Sequence, residues 1–240
     1  MLARVLSVGL LAGLLAGLLI AVLQQVTTTP LILLAETYEK QDASSAAPPA
    51  AGAPKDHDHA AHDHSWKPAD GLPRFFYTAV ATVATAVGIS FLLLAGMIFA
   101  GDPIDERRAL AWAIAGFVAA GLAPAAGLAP ELPGSGAGEL VARQAWWIGT
   151  ALATAVALWA FLRRESLIVR LGAVVVLLAP HVIGAPYPHA LESKVPAEIA
   201  AQFAALSLVV QGLLWALAGI AVGLLWPAFA PKPSSRTAPS

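Results

Sequence analysis

The sequence predicts an all-α fold: a polytopic membrane helix bundle of about six transmembrane helices (five if the fifth does not cross fully), with a disordered His/Asp-rich external loop. Three observations lead there. Apolar residues gather in six long runs, and mean hydropathy is +0.71. Charged residues are only 12% of the 240, against 58% hydrophobic, about half the charged share of a soluble domain. The remaining polarity is concentrated, above all in Asp56-His57-Asp58-His59-Ala60-Ala61-His62-Asp63-His64, which holds four of the six histidines.

The first run, Val5–Val26, follows Arg4. It is about 22 residues long, beyond the ~7–15 of a signal-peptide core, and no small-residue cleavage site follows, so it reads as a retained helix. The others are Phe75–Ala100, Ala109–Leu128, Val141–Leu162, Leu167–Ile183 and Ile199–Phe229. Each approaches the ~17–25 apolar residues needed to cross ~30 Å of hydrocarbon. The fifth is short and carries Arg170; the third is interrupted late by Pro124. The organisation is therefore a first helix (1–26), an external His/Asp-rich flexible loop (27–74), a bundle of about five further helices (75–229) and a disordered cytoplasmic tail (230–240). The Ala/Pro/Ser/Gly tract Ser44–Pro54 reads as a tether for the His/Asp run, because such composition cannot bury enough apolar surface to fold.

Arg4, Arg107, Arg108, Arg163, Arg164, Arg170, Lys232 and Arg236 fall at alternate ends of the runs. By the positive-inside rule that side is cytoplasmic and holds both termini, while the net acidic 27–74 loop is external, or periplasmic in a bacterium. Gly9, Gly13 and Gly17 line one face of the first helix, and Gly219 and Gly223 repeat the spacing in the last. Such faces admit a second backbone. Packing inside one bundle is the simpler use; a homo-oligomer through the Gly9/Gly13/Gly17 face is the other.

The chemistry starts with His57, His59, His62 and His64, interleaved with Asp56, Asp58 and Asp63. In extended chain each His-x-His pair presents both rings on one side, and neutral imidazole with carboxylate suits cobalt, nickel, copper and zinc. A flexible site follows the Irving–Williams order, so it can collect metal without choosing cobalt. The plain alternative is a solvated polar loop. His181 is the second candidate, in the apolar Pro180-to-Pro186 stretch, where the helix is expected to break near Pro180; the alternative is an interfacial histidine. Gln24, Gln25, Glu131, Gln144 and Glu198 fall on the same predicted side and, with Glu139, Arg143 and Gln202, could form a vestibule that replaces part of a cation's hydration shell. Singly, each is more simply an interfacial residue or a cap. Gln211 lies deeper and reads as an interhelical hydrogen bond. The tryptophans 146, 147, 215 and 226 read as interface anchors or packing groups.

The net charge of −1 gives no nucleic-acid footprint. The absence of cysteine excludes disulfides and thiolate metal sites. There is no phosphate-binding Gly-x-x-x-x-Gly-Lys-Ser/Thr loop, no His-Glu-x-x-His and no Gly-x-Ser-x-Gly, which argues against an enzyme.

Several segments together resemble a known family: Gly9 to Gln25, Thr29-Pro30-Leu31-Ile32, Tyr38-Glu39, the His/Asp loop, Leu122 to Gly134, Ala142 to Trp147, Pro180 to Pro186 and Val195 to Phe203. The chain resembles the predicted cobalt transporter subunit CbtA of bacteria over nearly its whole length, apart from tether and tail. The resemblance implies an inner-membrane protein, Co²⁺ as the transported ion, no organic cofactor, a link to cobalamin synthesis, and a small one-span histidine-bearing partner, CbtB. It supplies no transport residues. A nickel or zinc (Ni²⁺ or Zn²⁺) transporter of the same architecture, or a membrane metal sensor or scaffold that does not transport, are the rival readings.

Overall fold

The computed structural model describes residues 1–45, 68–133, 139–186 and 195–230, and among them every regular element is helical. The helices are α1 (Leu2–Val26), α2 (Thr28–Ser45), α3 (Leu72–Ala100), α4 (Glu106–Ala125), α5 (Leu140–Arg163), α6 (Leu167–Ile183) and α7 (Ala197–Ala228). Five of them, α1, α3, α4, α5 and α7, are long and apolar enough to cross a membrane. The sixth apolar helix, α6, has 17 residues, a length of about 25 Å at 1.5 Å per residue.

All six apolar runs read from the sequence are helices, with no end moved by more than three residues. One element was not anticipated: the segment after the first run continues as α2 after a kink at Thr27. α2 docks through Ile32 and Ala35 on Leu132, Val195, Ile199 and Phe203. The helix also does not break at Pro180. α6 runs through it to Ile183 and ends at Gly184, where φ is +89° and the backbone N–H donates to the Pro180 carbonyl. Pro180 withholds the N–H that would go to the Val176 carbonyl, and the helix continues past that lost bond.

Small residues face inward and large aliphatics outward, the reverse of a soluble helix. On α1 the buried face is Val8, Gly9, Ala12, Gly13, Ala16, Gly17, Ile20 and Ala21. Leu6, Leu10, Leu14 and Leu18 are exposed. A Cβ at Gly13 or Gly17 would fall on the backbone of Val87 or Val83 in α3, and one at Gly9 on the ring of Phe91. The glycine face is thus filled by α3 of the same chain and is not open to a second copy. Gly219 and Gly223 admit the α4 backbone in the same way, at Ala109 and Glu106. α1 lies between α3 and α7, α4 packs on α7, and α6 packs on α5 alone among the helices.

The ends of the bundle are pinned by charge. Arg4 donates to the Trp226 carbonyl and lies 3.9 Å from the Trp226 ring centroid, so the start of α1 and the end of α7 share one end. Asp105 caps α4, accepting from the Arg108 N–H at 2.9 Å. Asp102, 9% exposed, accepts from the Trp112 indole N–H at 2.8 Å and from Arg163, with Arg108 at 4.0 Å. These donors, Trp112 first and then the two guanidiniums, hold its carboxyl below the ordinary carboxylate range against the opposing effect of burial. At the other end Glu36 takes a forked pair of bonds from Arg74, at 2.8 and 3.1 Å, which ties α2 to α3.

Two predictions follow from this packing. Gly13→Leu should lower the thermal midpoint in detergent strongly, since overpacking costs about 1–3 kcal/mol even where the neighbours are side chains and here they are backbone; Leu14→Ala, on the outward face, should change it little. Asp102 has a lowered folded pKa, so its stabilisation is present above its unfolded value of ~3.9 and disappears as pH falls through the folded value. The gap in midpoint between wild type and Asp102→Asn should therefore be wide at neutral pH and close on acidification below ~4; a gap independent of pH would show that the carboxylate charge is not what holds this corner.

Candidate functional site

The His/Asp run, with His57, His59, His62, His64, Asp56, Asp58 and Asp63, lies outside the described residues, as do His189 and the tail from residue 231. Among the described residues no group of three His, Cys, Asp or Glu is close enough to hold a metal ion. The polar residues that remain are distributed unevenly over the end of the bundle opposite Arg4.

Glu131 is engaged by Arg143, at 2.6 Å. Gln144 and Glu198 are exposed. His181 is partly buried at the end of α6, its ring 6.0 Å from that of Trp146, whose indole N–H donates to the Pro180 carbonyl at 3.3 Å. Because α6 packs on α5 alone, His181 belongs to the edge of the bundle. The vestibule read from the sequence is therefore not gathered into one cluster of described side chains. Trp215 and Trp226 pack inside the bundle, whereas Trp147 is exposed.

Gln24 has a different setting. Its Oε1 accepts from the Thr82 hydroxyl at 2.8 Å, which joins α1 to α3 inside the bundle. Beside it is a pocket of about 240 Å³ between α1, α2 and α7, lined by Ile20, Gln24, Thr28, Ile32, Phe203, Ser207, Val210, Gln211 and Leu214. That is far more than the ~10–15 Å³ of such space that one water needs. Four oxygen-bearing side chains meet apolar walls there, the composition of a binding pocket rather than of a packed core. Next to Gln24 in sequence, the Gln25 amide nitrogen is buried without a partner among the described residues.

Gln211 was expected to be an interhelical hydrogen bond, but no described residue bonds its side chain. Its Oε1 lies against Gly121 of α4, where a Cβ would approach it to 2.7 Å. This stretch of α4 is irregular. Val118–Leu122 form a π-helical turn, and Ala123 donates its N–H to the Val118 carbonyl, five residues back. Pro124, next in line, has no N–H to donate. π-turns inside α-helices are frequent at functional sites.

On the other side of the turn, Thr150 and Thr154 of α5 are both 0% exposed, with hydroxyls that have no partner. The antiparallel register of α4 and α5 is set by Trp112 against Trp159 and by Gly127 against Trp146. It brings Thr150 and Thr154 level with the π-turn. A buried hydroxyl left unbonded costs about 1–3 kcal/mol, so the midsection of this bundle carries polar groups that its fold does not need.

Thr28, Ser207, Thr150 and Thr154 were missed in the sequence because each is a common, uncharged type. The available signal was spacing: Gln24 and Thr28, Ser207 and Gln211, and Thr150 and Thr154 each stand four apart, which places a pair on one helix face where helix is continuous. The opposite end holds a larger crevice, about 480 Å³, between Leu93, Asp102, Trp112, Ala119, Trp159 and Arg163. Its charges are already paired with one another through Asp102.

Comparisons with known proteins bear on what such a bundle is for. Searches among curated proteins and among solved structures give no match. A profile of the family described as "Probable cobalt transporter subunit (CbtA)" matches residues 2–227. That span takes in every membrane helix and the His/Asp run, and the chain belongs to the CbtA family of cobalt transporter subunits.

Proposed function

We propose that this chain is the membrane subunit through which Co²⁺ enters the cell, supplying cobalamin biosynthesis, with the His/Asp run collecting the ion outside and a polar route between the helices passing it inward. The observation that carries the reading is the family membership across residues 2–227, which includes the His/Asp run. The orientation is supported by the arginines. Arg4, Arg107, Arg108, Arg163, Arg164 and Arg170 belong to the end where α1 starts and α7 finishes, and the positive-inside rule makes that end cytoplasmic. The polar pocket, Glu36, Glu131 and His181 then belong to the external half.

Energetics favour entry. A divalent cation moving inward down the membrane potential gains about 4.6 kcal/mol per 100 mV. The His/Asp run raises the ion's concentration near the mouth, and its imidazoles bind nickel, copper and zinc at least as well as cobalt, so selection falls to the helices and to the partner that a transporter subunit requires. A small one-span histidine-bearing protein of the CbtB type fits that partner. In that external half Gln24 lines the pocket with Gln25 next to it in sequence, and Glu131, Gln144, Glu198 and His181 lie around the outer end.

Uptake of radioactive cobalt by cells expressing the chain with its partner tests this directly; absence of uptake of any divalent metal would overturn it. Deleting residues 56–64 should raise the half-saturating cobalt concentration by about tenfold, as expected for loss of a local-concentration effect, and leave the maximal rate nearly unchanged. His181→Ala should reduce the maximal rate even at saturating cobalt. An unaltered maximal rate would remove His181 from the route.

A further inference from the structure

The geometry points to a specific station on that route: the pocket beside the π-turn of α4 forms a transmembrane coordination site for the divalent cation, built from neutral oxygens of Gln24, Thr28, Ser207 and Gln211. This rests on the transport reading and adds to it where, and with which ligands, the ion sheds part of its water.

Three independent features converge on one level of the bundle. The first is the pocket itself, with two amides and two hydroxyls from α1, α2 and α7 and space for a cation with several waters. The side chains of Thr28, Ser207 and Gln211 have no hydrogen-bond partner among the described residues, so their oxygens are not committed to holding the fold. The second is the backbone of α4. In hydrocarbon, irregular helix is tolerated only where it is buried in protein or lines a polar cavity, and here Pro124 withholds the next backbone N–H after the turn. Gly121 brings that turn into contact with Gln211, which itself lines the pocket, so turn and pocket are one place. The third is the pair Thr150 and Thr154, fully buried, unbonded and level with the same turn from the α5 side. They stand on the α5 side of the turn, across it from the pocket, and add unpaired polar groups at the same level.

The ligand type fits the task. Uncharged oxygens replace hydration without binding so tightly that the ion is trapped, which is what conduction requires. They also lack the imidazole and thiolate donors that favour copper and nickel, so this station discriminates on different grounds from the external His/Asp run. A metal crosses from a tight, unselective collector to a weak, oxygen-lined step.

The test uses cobalt uptake by the full chain with its partner, normalised to folded protein in the membrane. Pro124→Ala supplies the missing N–H to the π-turn and is a helix-favouring change, so folding should be kept. It should lower the maximal rate by about tenfold while the half-saturating concentration, set outside, stays near wild type. Gln211→Leu should do the same, and Gln211→Asn, which keeps an amide oxygen, should recover part of the rate. Should one variant fail to accumulate, the other decides, since they alter different elements. Wild-type uptake with both Pro124→Ala and Gln211→Leu transporting normally would overturn this site and leave the transport reading intact. Absence of uptake by the wild type would instead overturn that reading, and the site with it.

Discussion

Gly9, Gly13 and Gly17 let α1 lie directly against the backbone of α3, and the rest of the bundle is arranged around that contact. Within lipid there is no hydrophobic gain in bringing two apolar helices together, since acyl chains are as apolar as leucine. What holds them is dispersion between closely fitted surfaces, and this needs small residues on the inner face. α1 meets the requirement three times on one stripe and still presents Leu6, Leu10, Leu14 and Leu18 outward. With α1 in place, α7 packs on its flank, and its own glycines, Gly219 and Gly223, receive α4.

This close-packed half contrasts with the half around the π-turn. Toward the arginine end, interfaces are small-residue contacts and the charges are paired: Arg4 on the Trp226 carbonyl, Asp102 shared among Trp112, Arg163 and Arg108. Toward the other end, α4 loses its regular bonding, amides and hydroxyls face a pocket, and two threonines are buried without partners. The two halves are linked: the glycines that bring α7 and α4 together also set Gln211 over Gly121.

Much of the architecture was legible in the sequence. Hydropathy found all six apolar helices, because length and apolar composition are local properties that lipid enforces independently of the partners chosen. α2 was not found, since Thr28–Ser45 mixes apolar and polar residues and its docking depends on Leu132, Val195 and Phe203, far away in the chain. The break expected at Pro180 did not occur, while the irregularity around Pro124 took the form of a π-turn upstream of the proline. Proline marks where a bond is lost; which way the helix adjusts depends on what packs against it. The site divides in the same manner. Histidine and aspartate stand out by type, and glutamines at the end of a helix attract notice, but Thr28, Ser207, Thr150 and Thr154 are ordinary membrane-helix residues until their neighbours are known.

By itself the sequence determined that this chain is a helical membrane protein, where its apolar helices run, that its basic residues cluster at alternate ends, and that it carries a run of imidazoles and carboxylates of the kind that can ligate a metal. These are properties of single segments, set by solvent and by side-chain chemistry. Only the tertiary structure decided that the glycine stripe of α1 is consumed by α3, that α6 and His181 sit at the edge, and that Gln24, Ser207 and Gln211 share a pocket against an opened turn of α4. Those facts depend on which helix faces which and at what register. Between residues up to about two hundred positions apart, that is settled by the fit of whole surfaces rather than by any local propensity.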